Sequence, residues 1–365
     1  MSFLRYNPAV FVVEDDYMIT VLTHECGVIS IKVGDRVYRE NYGVLCSNKK
    51  YAKIVIPQCE LDRECKYSVC FSKTVARQEY YSKLDIEQTQ EFIFNPLTKQ
   101  ENIKAYHIAD VHGDFVKARK CISPYKKELD LLICNGDIVE THSLKDLYNV
   151  LSFLSTITKG SIPIIFVRGN HDTRGHFAEK YCEFFPYDKN RCYFYYNIGC
   201  LCGIALDCGE DKLDDCISYG GINDFATYRQ IQTKYLSSIK LDNNKNWRIA
   251  ISHICPNVTT LEKGDEFDIE RSTYTKWTKI LQDNNIDIML CGHIHEYLVH
   301  DSQDKRNIIP HSYPVMVASI KNDEVLGGCA ITINKNDMII TYTDSDLHEH
   351  GKYRIVKGSN KVQVL

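Results

Sequence analysis

The sequence has no stretch able to cross a membrane as a helix. Its longest apolar runs, such as Ile162–Val167 and Leu201–Leu206, fall far short of the ~20 residues required. A secretory leader is also lacking: the early apolar segment Ala9–Val13 is brief and is closed by Glu14, Asp15 and Asp16. A cytoplasmic location is therefore expected. An excess of one charge is missing as well, since 44 Lys+Arg face 48 Asp+Glu for a formal charge of −4. That balance gives no basic footprint for a nucleic-acid backbone, and nucleic acid is not an expected partner. There is no phosphate-loop motif, no Gly-x-Gly-x-x-Gly after a strand and no Gly-x-Ser-x-Gly. Nucleotide-loop kinases, dinucleotide oxidoreductases and serine hydrolases thus lose their usual signatures.

What is present in quantity is cysteine, sixteen residues in all. A disulfide framework belongs to small exported domains, and this chain of 365 residues shows no export signal. Cys134, Cys200, Cys202 and Cys291 sit inside apolar strand-like runs, where a thiol behaves as a small hydrophobe. No Cys-x-x-Cys pair occurs, and Cys59, Cys65 and Cys70 lack the second cluster that a structural zinc site needs. Reduced thiols are expected.

The length predicts two domains, and the rhythm of the sequence changes near residue 98. Before it, Ala9–Val13, Tyr17–Thr23, Gly27–Val33, Arg36–Tyr42, Tyr51–Pro57, Lys66–Phe71 and Glu91–Phe94 are rich in Val, Ile, Tyr and Phe. Seven short strands at this spacing predict an antiparallel sandwich. Leu61 followed six residues later by Tyr67 resembles the tyrosine corner of fibronectin type III domains. Residues 1–98 are therefore expected to form a fibronectin type III-like sandwich. Residues 99–365 read as an α/β domain, with helices over Ser143–Thr158, Asp224–Ile239 and Glu270–Asn284. Its strands are Ile103–Ile108, Leu129–Cys134, Ile162–Val167, Trp247–Ser252 and Ile286–Cys291, and strands return after Ser312.

Each of those five strands runs into a polar cluster. Asp110-Val111-His112-Gly113-Asp114 follows the first, Asn135-Gly136-Asp137 the second and Gly169-Asn170-His171-Asp172 the third. His253 follows the fourth, and Gly292-His293-Ile294-His295 the fifth. Ligands of α/β sheets bind beyond the carboxyl ends of the strands, so the clusters converge. Carboxylates and imidazoles without thiolates suit Mn, Fe, Co, Ni or Zn. Asp110 and His112 reach one ion from a loop, and Asp137 has two oxygens with which to bridge a pair. Asn170 offers a neutral oxygen, which limits the negative charge. Two ions held ~3.5–4 Å apart stabilise both the attacking and the departing oxygens of an in-line displacement. His171 is placed to protonate a leaving group, with Asp172 beside it to orient and charge the ring.

This ordered set resembles the calcineurin-like metallophosphoesterases over roughly Ile103–Tyr342, and the front half resembles the module that precedes the catalytic domain in purple acid phosphatases. The resemblance implies an α/β domain of two sheets flanked by helices and a site for two divalent transition-metal ions. Asp110, His112, Asp137 and His295 would hold the first ion, and Asp137, Asn170, His253 and His293 the second. It also implies hydrolysis of phosphate mono- or diesters by a metal-bridging hydroxide, with His171 as the catalytic histidine and Asp172 as its partner. Purple acid phosphatases carry a metal-binding tyrosine three residues after the bridging aspartate; here Glu140 stands there, so the iron-tyrosinate chromophore is not expected. They also lack a histidine at the position of His112.

Other polar residues have weaker claims. Arg174 and Tyr228 are candidates for gripping substrate, packing is the better explanation of Arg168 and His107, and Arg229 belongs, like Tyr228, to a helix amphipathic enough to be scaffold. His348 and His350 read as a solvated pair, and the acidic loop Asp207–Asp211 has no assigned role. Two classes of function stay open: a dinuclear phosphoesterase acting on a phosphorylated substrate, and a non-catalytic scaffold or binding protein on the same fold. The eight ligand and catalytic positions, all filled, favour the enzyme.

Overall fold

The computed structural model describes residues 2–40, 48–186, 191–256, 267, 269–359 and 361–365. The first region is strand-rich, as expected. It holds β1 (Ala9–Val13), β2 (Asp16–Val33), β3 (Arg36–Tyr38), β4 (Lys49–Pro57), α1 (Gln58–Glu64), β5 (Lys66–Arg77), β6 (Ser82–Leu84) and β7 (Gln88–Ile93). The two strands expected between Tyr17 and Val33 are one long strand with a register shift between Leu22 and Gly27. Before the shift β2 pairs with β1 and β4; after it, with β5 and β3. The far end of the strand expected over Arg36–Tyr42 lies outside the described residues.

These strands are hydrogen-bonded into the α/β half. β1 pairs in parallel with β10 (Ile164–Val167), Phe11 opposite Ile164. The reason is visible in β1 itself, since all five of its side chains are buried. A strand apolar on both faces belongs inside a covered sheet rather than on the half-wet face of a sandwich. The Tyr67 hydroxyl likewise reaches across the seam, donating to the Gly160 carbonyl at 2.9 Å. A parallel strand pair and a buried hydrogen bond thus cross the boundary drawn at residue 98.

The α/β half opens with β8 (Ile103–Ile108), α2 (Phe115–Ile122), β9 (Leu131–Asn135), α3 (Leu144–Thr158) and β10. β8, β9 and β10 are parallel neighbours. α3 starts at a capping box, where Ser143 and Asp146 satisfy each other's backbone N–H, and it buries Leu147, Leu151 and Leu154. The second sheet follows: β11 (Phe194–Ile198), β12 (Leu201–Leu206), α4 (Phe225–Ser238), β13 (Trp247–Ser252), α5 (Arg271–Asp283), β14 (Ile288–Cys291), β15 (Tyr297–His300) and β16 (Val315–Ala318). Within it β12, β13, β14 and β16 are parallel, with β11 and β15 antiparallel at the edges. β17 (Gly327–Ile333), β18 (Asp337–Asp344), β19 (Glu349–Val356) and β20 (Val362–Val364) return to the first sheet, β17 antiparallel to β8.

Alternation along the strands shows how the layers stack. Ile249, Ile251, Ile288, Leu290, Met316 and Ala318 point into the core shared with the first sheet. Their neighbours Ala250, Met289, Cys291, Val315 and Val317 point the other way, into a core closed by Leu236 of α4 and by Trp277 and Leu281 of α5. Two sheets therefore pack face to face, with helices outside. Every described cysteine is a free thiol, and no described helix is long and apolar enough to cross a membrane.

Candidate metal centre

The carboxyl ends of β8, β9, β10, β13 and β14 bring the five polar clusters together. The backbone there is unusual. Asp110, His112, Asp137, His293 and His295 all adopt positive φ, between 45° and 78°. Asp and His tolerate this region better than most residues, yet each such residue still costs on the order of 1–3 kcal/mol. Cross-loop hydrogen bonds hold the turns in place. The Asp110 N–H donates to the Gly136 carbonyl at 3.1 Å, the His112 N–H to the Asp137 carbonyl at 2.9 Å and the Gly292 N–H to the His253 carbonyl at 2.9 Å. The clusters also approach closely: a Cβ on Gly169 would lie 2.2 Å from Asp137 Oδ1.

Each aspartate divides its oxygens between backbone and site. Asp110 Oδ2 accepts the His293 N–H at 2.8 Å, while Oδ1 faces His295 Nε2 at 3.3 Å, His253 Nε2 at 3.7 Å and His112 Nε2 at 3.8 Å. Asp137 Oδ1 accepts the His171 N–H at 2.8 Å, while Oδ2 faces His253 Nε2 at 3.1 Å, His112 Nε2 at 3.8 Å and His171 Nε2 at 4.0 Å. Three groups with ligand atoms within 4.8 Å of one another result: Asp110, His112 and His295; His112, Asp137 and His171; Asp137, His253 and His293.

These residues fit divalent cations. Asp110 Oδ1, His253 Nε2 and both polar side-chain atoms of Asn170 are buried with no hydrogen-bond partner, which is costly unless something else is bound there. His253 Nδ1 lies 2.7 Å from the Asn135 carbonyl, so it carries hydrogen, and Nε2 is left facing a carboxylate. That arrangement needs either a second proton or a cation. In the protein alone a proton takes the place: burial lowers the affinity of His253 for it, but Asp137 and Asp110 together outweigh burial and raise its pKa to about 10. Burial holds His293 down at about 4 and also lowers His112, leaving both neutral and ready to ligate. Burial pushes both carboxylates up, but His253 together with His295 at Asp110 and with His171 at Asp137 outweighs it and keeps them ionised.

The surroundings of His171 correct one expectation. Asp172 does not touch its ring. Its Oδ2 accepts the N–H groups of Asp137 and Gly169, both at 2.8 Å, and its Oδ1 those of Ile138 and Val139, at 3.2 and 3.1 Å. It is a clamp on the Asp137 loop. Glu140 takes the place assigned to it, with Oε1 2.9 Å from His171 Nδ1. Arg174 Nη1 lies 2.9 Å from His171 Nε2, and Glu210 grips the same guanidinium through two bonds of 2.7 Å.

The acidic loop of unassigned role therefore supplies Glu210, a residue the motifs did not reveal, and also Asp207, which pairs with Arg168 at 2.7 Å. Tyr228 spends its hydroxyl hydrogen on Asp207 at 2.9 Å and accepts the Cys192 N–H at 3.0 Å. These bonds make it part of the scaffold rather than a group turned to substrate. Arg229 is bound to the carbonyls of Cys208 and Glu210, and His107 packs against Asn135 with Nε2 3.0 Å from Nδ2. His350 pairs with Asp344 at 2.6 Å rather than with a metal-binding partner, and His348 is exposed. The Cys59, Cys65 and Cys70 thiols form no metal-binding group among the described residues.

Two clefts adjoin the centre. One, of about 810 Å³, is lined by Arg174, Glu210, Lys212, Tyr219 and Phe225 among others. The other, of about 510 Å³, has His112 and His295 in its wall.

A family model for calcineurin-like phosphoesterases matches residues 103–297. No curated protein matches the sequence. Among solved structures, the purple acid phosphatase PPD1 from yellow lupin (Lupinus luteus) seeds is similar, with a TM-score of 0.62 and 12% identity over 96% of this chain and 74% of that one. PhoD is similar with a TM-score of 0.57 and 10% identity over 98% of this chain and 91% of that one. At these identities the likeness concerns the fold.

Proposed function

The chain belongs to the calcineurin-like phosphoesterase family, whose model covers more than half of it, and from that premise we propose that it hydrolyses phosphate mono- or diesters using two divalent transition-metal ions. Asp110, His112, Asp137 and His295 would hold one ion, and Asp137, Asn170, His253 and His293 the other. The observation that carries this reading is the set of buried atoms without a hydrogen-bond partner, Asp110 Oδ1 and His253 Nε2, 3.7 Å apart, and the Asn170 side chain beyond the carboxyl end of β10. When bound, the ions supply neutralisation of the phosphoryl charge and activation of the attacking water.

The chain's own groups do the rest. The Asn135 carbonyl and the His293 N–H aim His253 and Asp110. His171 delivers a proton to the leaving oxygen, its ring held at Nδ1 by Glu140. Arg174, braced by Glu210, stands beside His171 where a guanidinium can hold a phosphoryl oxygen. We assign the chemistry to residues 99–365 and propose residues 1–98 as a fibronectin type III-like, strand-rich module that shares the first sheet with them through β1 and β10 rather than standing as a separate body. A cytoplasmic location is part of the same proposal, in keeping with the free, exposed thiols of Cys26, Cys59 and Cys65.

Metal analysis combined with turnover of p-nitrophenyl phosphate and bis-p-nitrophenyl phosphate, under Mn, Fe, Co, Ni and Zn in turn, tests the proposal. Metal-dependent release of nitrophenol is expected. Stoichiometric metal without turnover of either ester would favour the scaffold reading.

A further inference from the structure

His112 and His295 line the 510 Å³ cleft together with Lys117, Lys321, Asp114, Asn322 and Asp323. Lys117 comes from the first turn of α2, and Lys321 from the segment between β16 and β17. Both ammonium groups turn to a single carboxylate, Asp114 Oδ2, at 3.4 and 3.5 Å. Two positive charges therefore face one negative charge. Asp114 is already committed, because its Oδ1 accepts the Lys117 N–H as the N-cap of α2. Asp323 offers only its carbonyl, at 2.8 Å from Lys117 Nζ; its carboxylate pairs with neither lysine. The lysines are not freely solvated, their side chains being 23% and 19% exposed. Among the described residues Lys321 Nζ has Asp114 as its one hydrogen-bond partner, so two of the three ammonium hydrogens are not engaged by them. Among the described residues no apolar side chain lines the cleft, which argues against an acyl or aromatic occupant. Its volume is that of a small-molecule site.

We propose that this cleft is a second anion subsite, so that the substrate carries a second phosphoryl group, held by Lys117 and Lys321 while the first occupies the metal centre. This rests on the phosphoesterase reading above. The ligand chemistry is either a phosphoanhydride, with its two phosphoryl groups adjacent, or a bisphosphate with the groups separated by a small organic frame. Lysine ammonium groups bind such oxyanions as point charges. Partial burial strengthens the attraction relative to open solvent. A substrate with one phosphate, seated at the metal centre, would leave the two ammonium groups beside His112 and His295 without an oxyanion partner other than Asp114.

Calorimetric titration of the metal-loaded protein at fixed free metal tests this. One arm compares inorganic phosphate with inorganic pyrophosphate; the other compares adenosine 5′-monophosphate with adenosine 3′,5′-bisphosphate. In at least one arm the compound with two phosphates is expected to bind roughly tenfold tighter or better, the scale of one or two charge-assisted hydrogen bonds. The doubly substituted Lys117→Gln/Lys321→Gln protein should bring that ratio to within about threefold of unity. Lys321→Gln alone, in a connecting segment, serves if the double variant does not fold.

Asp114→Asn keeps an acceptor for the α2 cap and removes the carboxylate paired with both lysines, so it should raise the preference, by about threefold. A merely structural role predicts losses from both kinds of variant. The subsite is overturned if wild type shows no preference in either arm, if the lysine variants keep it, or if Asp114→Asn lowers it. Turnover of p-nitrophenyl phosphate in the same preparation separates the two claims. Turnover without a preference sinks the subsite alone, whereas no turnover and no phosphate binding sinks the phosphoesterase reading.

Discussion

Asp172 gives the sharpest test of how the centre is held. Its two oxygens accept four backbone N–H groups at 2.8 to 3.2 Å, and it is fully buried. Burial, and next to it the charge of Asp137, push its carboxyl up to about 7, against the pull of the N–H donors. Only the ionised form satisfies all four donors, because a hydrogen on either oxygen would point into a pair of them. Asp172→Asn is nearly isosteric, but in either orientation its NH₂ group meets two N–H groups head-on. Two buried donors left without acceptors cost about 1–3 kcal/mol each, so a loss of roughly 2–6 kcal/mol is expected.

At about 2.1 cal/mol/K of unfolding entropy per residue, 365 residues convert each kcal/mol into roughly 1.3 °C. The melting temperature should therefore fall by about 3–8 °C. The released N–H groups are those of Asp137 and Gly169 or those of Ile138 and Val139, depending on the orientation, so in either case the Asp137 turn loosens, and displacement of a reacting group by ~1 Å costs on the order of 10²-fold in rate. The loss should be equal for p-nitrophenyl phosphate and phenyl phosphate, and metal affinity should fall with it. Thermal melting alongside steady-state kinetics on both esters makes the measurement. A melting temperature unchanged to within about 1 °C, with activity lost only on the poor leaving group, would refute the clamp and restore Asp172 as a partner acting through His171.

Three further outcomes are expected. His171→Ala should retain metal but lose at least ~10²-fold in rate on phenyl phosphate and much less on p-nitrophenyl phosphate; equal losses would remove the proton-transfer role. Asp137→Asn should lose both metals together, since it is neutral and shared, whereas His293→Ala and His295→Ala should each weaken chiefly one site; two metals per chain in Asp137→Asn, read by elemental analysis, would defeat the bridging assignment. Metal binding at pH 7–8 should expel protons, because His253 titrates near 10 in the metal-free protein and must be neutral to ligate. A pKa raised above the usual 6.5 means that the protonated imidazole stabilises the metal-free fold fully below that value and that the contribution fades as pH rises toward 10. The melting increment given by metal should accordingly grow with pH over that window, and binding heats independent of buffer ionisation enthalpy would contradict this.

Much of the fold was legible because the α/β half follows local rules. Strands Ile103–Ile108 and Trp247–Ser252 begin and end where their apolar runs do, and Ser143 marks the start of α3 by its capping box. The departures lie where a strand's environment rather than its composition decides. His24–Cys26 falls between two expected strands, yet β2 continues through it, with all three residues exposed at the register shift. α1 is only seven residues long and buries just Glu60 and Leu61, too little periodicity to find it. The attachment of β1 to β10 had a signal that the strand count obscured: five apolar residues in a row are what a strand covered on both faces requires.

The metal centre divides along the same line. Its donors are local in sequence, each at the end of a parallel strand, so their order and type were enough to group Asp110, His112, Asp137, His253, His293 and His295. The groups that orient those donors come from other elements. Asn135, at the end of β9, holds His253 at the end of β13, and Glu210, after β12, holds Arg174, after β10. Such pairings depend on which strands become neighbours, which spacing along the chain does not reveal. Glu140 is the exception, lying three residues after Asp137 on the same loop and so within reach of whatever Asp137 faces. Reading it only as the residue in place of a tyrosine hid its contact with His171. Asp172 was misread for the converse reason. Adjacency to His171 suggested a ring partner, but the short 3₁₀ turn over His171–Thr173 points successive side chains in different directions, one into the site and the other beneath it. Sequence neighbours at a tight turn diverge, whereas residues of distant strands converge; for that reason the motifs could gather the candidate donors of this centre but could not reveal the groups that support them.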